Sequence, residues 1–347
     1  MIRNQWYAVL ESREIKPNQA IGVIRLGEKM AFWRDSNKQV HCVIDRCIHR
    51  GAALSPGKVV HDHLQCPFHG LEYDGTGEVK VIPANGRIAK VPEYFKIDSY
   101  LVQEAHDFIW IWWGSQPDEQ SIKNLPPIPF FDDITEKFSY NTLVDVWPVH
   151  YSRAIENQLD VVHLPFVHYN TIGRAQQTIV DGPIAELKVE ESGRILLSVW
   201  YTDRKEDGSI AKKREEMPSP TEAPLLQFYF PHIWQNRLGD KFRIFVAFVP
   251  IDENHTKFYL RTYQAIIRIP ILKHLVNWFA KLGNPVILNQ DKRVVITQVP
   301  PRSDHQMDEK LIAGDYPIVL YRRKRQELLE ATNVDYETKT NSAQKKE

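Results

Sequence analysis

Two short loops constrain this chain more than any other feature. Cys47-Ile48-His49-Arg50-Gly51 and Cys66-Pro67-Phe68-His69-Gly70 each carry one thiol and one imidazole, and each closes on a glycine that permits a tight turn. Sixteen residues lie between His49 and Cys66. A cysteine pair or a lone histidine is ordinary core material, but two matched loops require a fold that holds two tight turns face to face. The surrounding sequence is suited to that. From Ala20 to Gly114 it reads as short β-rich pieces, Ile21 to Leu26, Met30 to Trp33, Val40 to Ile44, Leu71 to Tyr73, Tyr100 to Gln103 and Phe108 to Trp113, separated by turn signals such as Asp74-Gly75-Thr76-Gly77 and Asn85-Gly86. The third cysteine, Cys42, lies outside the loops and reads as a buried strand residue. An odd cysteine count argues against a disulfide framework.

A Cys2His2 zinc site commonly puts both cysteines on one loop and both histidines on a following helix. Here each loop carries one of each, the partition suited to a Rieske [2Fe-2S] centre, in which one iron takes two thiolates and the other two histidines. An electron carrier alone could stop near residue 115, yet two thirds of the chain remains.

That remainder has a different character. Asn124-Leu-Pro-Pro-Ile-Pro-Phe130 cannot sustain a regular ladder, because three of its positions lack an N–H, and a domain boundary is placed between Ser115 and Pro129. The domains are read as residues 1–118, 119–335 and a polar tail, 336–347. Beyond the boundary, strand-like Leu187 to Glu190, Ile195 to Tyr201, Leu225 to Phe230, Phe242 to Val249 and Lys257 to Tyr263 mix with helical periods near Arg153 to His163, Ile271 to Ala280, Val286 to Gln298 and Ile318 to Ala331. The economical layering is α+β, an antiparallel sheet covered by helices in a helix-grip-like arrangement.

Within it, Asn157, Asp160 and His163 recur at steps of three, which predicts one helical face. His168 would face elsewhere on a continued helix. Pro165 disfavours helical geometry at Leu164 and so predicts a turn that lets both imidazoles meet one metal. Two histidines and a carboxylate form the facial triad of non-haem Fe(II) oxygenases. The spacing leaves the carboxylate open among Asp160, Asp291, Asp304 and Glu309.

Bulk properties exclude several classes. Lys plus Arg and Asp plus Glu both number 44, so no global field recruits nucleic acid or anionic lipid. No apolar run reaches membrane-spanning length, and the first residues lack the core of a secretory signal, which predicts a cytoplasmic protein. The most apolar stretch, Ile266 to Leu288, is interrupted by charge and proline; its periodicity fits a core-facing helix better than one lying on a membrane surface.

Together the two constellations resemble the Rieske non-haem iron oxygenases, the ring-hydroxylating oxygenase alpha-subunit family, whose fingerprint is Cys-Pro-His-Arg-Gly with Cys-Pro-Phe/Tyr-His-Gly, then Asp-x-x-His-x4-His and a distant Asp. Ile48 departs from the customary proline without touching a ligand. The resemblance implies Cys47, His49, Cys66 and His69 as cluster ligands and His163, His168 and Asp291 as ligands of a mononuclear Fe(II). It further implies Asp160 as a bridging acid that accepts hydrogen bonds from His163 and, across a subunit boundary, from His69, with Asn157 near the iron. Electrons would come from NAD(P)H through a separate ferredoxin or flavin reductase, and the alpha-only branch that this size resembles, monooxygenases and O-demethylases, implies a homotrimer. The expected reaction is O2-dependent hydroxylation or demethylation of an apolar cyclic small molecule. The alternatives are a dihydroxylating dioxygenase alpha subunit, a Rieske carrier fused to a ligand-binding domain, and a zinc-stabilised binding module. The aromatic run Phe228-Tyr229-Phe230 with His232 and Trp234 serves equally as pocket wall or sheet core.

Overall fold

The computed structural model describes residues 1–173, 177–266 and 284–344. The chain divides into two compact units, Arg3–Ile128 and Pro129–Glu347, so the division falls at the far end of the proline-rich stretch.

The first unit is built from three small antiparallel sheets. The outer strands β1 (Gln5–Glu11), β9 (Val102–Ala105) and β10 (Phe108–Trp113) pair in the order β1-β10-β9. A second sheet joins β2 (Ala20–Arg25), β3 (Glu28–Arg34) and β4 (Val40–Ile44), and a third joins β5 (Lys58–Val60), β6 (His63–Gln65), β7 (Glu72–Tyr73) and β8 (Val79–Val81). Strand β3 lies between two cores. Its Met30 and Phe32 pack with Tyr7, Val9, Cys42 and Ile111, whereas Ala31 and Trp33 pack with Leu64, Tyr73 and the two loop cysteines. The alternation of side chains along a strand makes this division. It also sends Cys42 to the opposite core from Cys47 and Cys66, and burial pushes its thiol pKa well up. Strand β1 was not expected from the sequence. Every residue after Gln5 in it is buried, so it shows no alternation to read.

In the second unit, a short helix being α1 (Glu119–Ile122) before it, seven strands form one antiparallel sheet: β11 (Ser139–Trp147), β12 (Ile179–Val189), β13 (Ile195–Arg204), β14 (Leu226–Tyr229), β15 (Ile233–Arg237), β16 (Phe242–Pro250) and β17 (Thr256–Gln264). Strands β12 to β17 run as a meander, and β11 returns to the edge beside β17, giving β11-β17-β16-β15-β14-β13-β12. Helices α2 (Tyr151–Leu159), α3 (Leu164–Val167), α4 (residues 284–295) and α5 (Tyr316–Gln344) accompany the sheet. Residues 336–344, read from sequence as polar tail, continue α5. The expected helix Ile271 to Ala280, and most of the apolar stretch around it, lie outside the described residues.

Buried charge ties α2 to α5. Arg322 donates to both oxygens of Glu156 at 2.7 and 2.8 Å, Arg153 reaches Glu156 and Glu309, and Arg325 donates to the Tyr151 hydroxyl at 3.1 Å. Paired in this way, the charges fix one orientation of α2, whose C-terminal end leads into the segment that carries His163 and His168.

Candidate metal centres

The two Cys/His loops fold as near copies. In the first, the Cys47 N–H donates to Ala52 O at 2.7 Å and the Gly51 N–H to Cys47 O at 2.8 Å. In the second, the Cys66 N–H donates to Leu71 O at 2.8 Å and the Gly70 N–H to Cys66 O at 3.0 Å. Both glycines adopt left-handed backbone, with φ of 72° and 74°, which a side chain would strain. Each turn buries its sulfur and exposes its imidazole: Cys47 and Cys66 belong to the core, while His49 and His69 are exposed, their ring centroids 4.6 Å apart.

Hydrogen-bond donors also reach both sulfurs. Burial pushes the Cys66 thiol pKa up, and the Cys47 sulfur adds to this, but the backbone N–H groups of Phe68 and His69 aimed at its sulfur pull the other way. Tyr73, wholly buried, accepts from the Ile48 N–H and donates its hydroxyl to the Cys47 Sγ, both at 3.1 Å. Sequence reading assigned Tyr73 only to a strand.

A single zinc ion would draw its four ligand atoms to roughly 3.5 Å of one another, given Zn–S near 2.3 Å and Zn–N near 2.0 Å. Here the two cysteines lie on the buried side of the turns and the two imidazoles on the exposed side. That separation by ligand type suits a two-iron cluster with a thiolate end buried and a histidine end outward.

The second centre forms where α2 breaks. The helix ends at Leu159, and Asp160 takes extended backbone, φ −72° and ψ 124°. Its Oδ1 accepts the N–H groups of Val162 at 2.7 Å and His163 at 3.2 Å, offering the backbone an alternative to further helical bonds. Two expectations are corrected here. Asn157, Asp160 and His163 do not share one helical face, because the helix has stopped before Asp160. Nor does Pro165 make the break: it sits in the first turn of α3, where its missing N–H costs nothing, and Leu164 is itself helical. His163 and His168 instead bracket this one-turn helix.

Helix α4 completes the group. Leu288, Asp291 and Val295 recur on its buried face. Asp291 Oδ1 lies 3.0 Å from His168 Nε2 and 3.5 Å from His163 Nε2. That oxygen is buried and receives no aligned hydrogen bond, even from the nearby imidazoles. The three ligand atoms therefore point at common space, all within 4.8 Å of one another.

Both imidazoles are held by their other nitrogen. His163 Nδ1 faces the Asp160 carbonyl at 3.1 Å, and His168 Nδ1 faces Gln290 Oε1 at 2.9 Å. Gln290 is itself oriented: its amide nitrogen donates to Asn170 Oδ1 and its oxygen also accepts from the Thr171 hydroxyl, both at 2.7 Å. With acceptors at each Nδ1, the Nε2 lone pairs are left for a metal. Sequence reading missed Gln290, Asn170 and Thr171, although Gln290 directly precedes Asp291.

The electrostatics favour a cation at this point. Burial disfavours charge on both groups, yet the Asp160 and Asp291 carboxylates push His163 up to about 10, and the two histidines hold Asp291 down to about 2. The other acids left open by spacing are engaged elsewhere. Glu309 pairs with Arg153 and Arg322, and Asp304 with Arg302. Asn157 is not on the cavity wall, but its Nδ2 is buried without a partner.

The triad opens into a cavity of about 950 Å³. One face of the sheet supplies apolar wall through Leu226, Trp234, Phe242, Ile244 and Leu260. Of the aromatic run, Trp234 reaches this wall. Phe228 and Phe230 pack on Tyr321, and the Tyr229 hydroxyl donates to Glu190 at 2.6 Å, so these three are core residues of the sheet and its cover. Among the described residues, no helix is long and apolar enough to cross a membrane.

Known proteins point the same way. Residues 5–94 match the model of the Rieske [2Fe-2S] domain, and residues 147–331, more than half of the chain, match the vanillate O-demethylase oxygenase C-terminal domain. The chain is similar to Protein TIC 55, chloroplastic, of Pisum sativum, at 24% identity, covering 85% of this chain and 51% of that protein. It is also similar to the oxygenase component of dicamba O-demethylase of Stenotrophomonas maltophilia, at 32% identity over 48% of each. The chain spans about half the length, or less, of the curated relatives it matches. In fold it is similar to Pseudomonas putida CBB5 NdmA with caffeine, with a TM-score of 0.72 and 22% identity, covering 95% of this chain and 91% of that one. Two family models, met by paired Cys/His loops in one unit and a convergent His-His-Asp group in the other, place this chain among the Rieske non-haem iron oxygenases, a family whose cofactors are a [2Fe-2S] cluster and a mononuclear iron.

Proposed function

We propose that this chain is a terminal oxygenase component that uses O2 and electrons from an external ferredoxin or flavin reductase to hydroxylate or oxidatively demethylate an apolar cyclic molecule. The carrying observation is the convergence of His163, His168 and Asp291 at the end of a largely apolar cavity. A carrier fused to a passive binding domain has no use for three ligand atoms so arranged. The activities for which similar proteins are named, dicamba O-demethylation and chlorophyllide a oxygenation among them, lend support.

On this reading Cys47, His49, Cys66 and His69 hold the cluster, and His163, His168 and Asp291 hold the iron. When bound, the iron supplies oxygen activation at open coordination positions. The protein's part is to fix the ligands, exclude water and seat the substrate. Asp160 is assigned as the bridging acid. Its Oδ1 is committed to two backbone N–H groups, while Oδ2 has no partner among the described residues and the side chain is a quarter exposed. That leaves Oδ2 for His69 of a second copy in a head-to-tail trimer, which agrees with the exposure of His69. The structure qualifies the link to His163: its ring meets the Asp160 carbonyl at 3.1 Å, with the carboxylate at 3.7 Å. Asn157, with its orphaned amide nitrogen one turn before Asp160, is assigned beside the metal. Three buried free cysteines accord with a reducing, cytoplasmic setting.

Asp160→Asn tests the assignment. It should retain cluster and iron but lose turnover, because the neutral amide no longer accepts the second proton donor. Full turnover in that variant refutes the bridging role.

A further inference from the structure

Resting on the ligand assignment proposed above, we infer that Gly314 is a positioning residue of the mononuclear metal centre: the turn that opens α5 is a backstop for the segment from Asp160 to His163. That segment follows the last residue of α2 and is braced from within by Asp160, whose Oδ1 accepts the N–H groups of Val162 at 2.7 Å and His163 at 3.2 Å. Val162 lies between the two, so whatever holds Val162 holds both.

Gly314 meets Val162 directly. It is buried in the single turn Ala313–Asp315 that leads into α5. Its backbone is not left-handed, so no conformation demands glycine here, and the requirement is one of space. A Cβ on Gly314 would lie 2.5 Å from Val162 Cγ1. Carbon atoms rest at about 3.5 Å or more, so an added methyl must part the two segments by roughly 1 Å. Neither side yields easily. Val162 is β-branched and stiff at χ1, with its N–H committed to Asp160. On the other side, Asp315 Oδ2 closes the turn by accepting the Ile312 N–H at 2.8 Å, and the Arg322–Glu156 pair at 2.7 Å pins α5 to α2. Asp315 reports the closeness of the two segments independently: burial raises its carboxyl pKa, and the Asp160 charge raises it further.

The displacement therefore falls on the short loop between two tied helices. His168 is braced by Gln290 of α4 and does not follow, so Asp160 and His163 move relative to His168 and Asp291. A shift of about 1 Å exceeds the roughly 0.5 Å within which a binding constellation must be held.

The test is an anaerobic Co(II) titration of protein with its cluster intact and the second site emptied, with urea unfolding of each variant as a separate measure of the fold. Gly314→Ala should bind Co(II) about ten-fold more weakly than wild type. Trimming the opposing side chain should restore the space, so that Val162→Ala/Gly314→Ala binds within about two-fold of Val162→Ala alone. Wild-type affinity in Gly314→Ala, with or without a lower urea midpoint, overturns the inference, as does a double variant that binds no better than Gly314→Ala. Should Gly314→Ala not fold, Val162→Ile presses the same contact from the loop side; weaker Co(II) binding with an unchanged cluster spectrum supports the inference, and unchanged affinity or loss of the fold overturns it. A wild type that takes up no Co(II), or uptake that is unchanged in His163→Ala, overturns the ligand assignment as well.

Discussion

Replacing Gln290 with leucine removes the acceptor that faces His168 Nδ1 at 2.9 Å while keeping the size of the side chain. His168 is 2% exposed, so water does not readily take the place of the lost oxygen. Its N–H must then remain unsatisfied, at a cost of about 1–3 kcal/mol, or the proton must move to Nε2 and cancel the lone pair that points toward Asp291. Either outcome weakens metal binding, and loss of such outer hydrogen bonds generally costs about 10–100-fold in affinity. The assay is an anaerobic titration of Co(II) into protein with its cluster intact and the second site emptied. Gln290→Leu should bind about 10–100-fold more weakly than wild type, with an unchanged cluster spectrum. Gln290→Glu, which retains an acceptor, should bind nearly as wild type does. Wild-type affinity in the leucine variant, or loss of its cluster, would refute the reasoning that Gln290 acts by orienting His168.

Two further outcomes follow from buried groups. Tyr73→Phe removes the hydroxyl that donates to the Cys47 sulfur, a bond that favours the more negative, reduced cluster; an EPR-monitored redox titration should show the potential falling by roughly 40 mV, the equivalent of about 1 kcal/mol for one electron, and an unchanged or higher potential contradicts it. His150 is a neutral N-cap whose burial, reinforced by Arg325 and Arg302, pushes its pKa down to about 3 from an ordinary 6.5. The unfolded chain therefore takes up a proton that the folded one refuses, so the contribution is fully present above pH 6.5 and is lost as pH falls toward 3. At pH 5.5 wild type should have lost roughly 1 kcal/mol more than His150→Asn, a variant that keeps a capping acceptor; equal losses in urea unfolding would place the effect elsewhere.

The candidate ligands were more legible in the sequence than their arrangement. The Cys/His loops could be read because paired glycines and paired ligands are local features, and the strands around them because alternation shows where one face is buried. Strand β1 was not legible, since it is buried on both faces, and β15 was hidden by the polar run Gln235-Asn236-Arg237. The path from Asn157 to His168 was misread for a different reason. Spacing of three implies a helix only while backbone hydrogen bonds continue, and the Asp160 side chain captures two of those N–H groups for itself. That Asp291, rather than Glu309 or Asp304, lies beside the two histidines depends on contacts across more than a hundred residues, which spacing does not encode; the family resemblance suggests it, and the arginines on α2 and α5 show why the other two acids are occupied.

The central claim is that one chain carries two unlike iron centres. Iron and inorganic sulfide analysis of anaerobically purified protein, paired with EPR of the dithionite-reduced sample, tests it most directly. About three irons and two sulfides per chain, falling to about two irons with the cluster signal intact in Asp291→Ala, is the predicted result. Zinc in place of iron, or iron equal only to sulfide in the wild type, would contradict it.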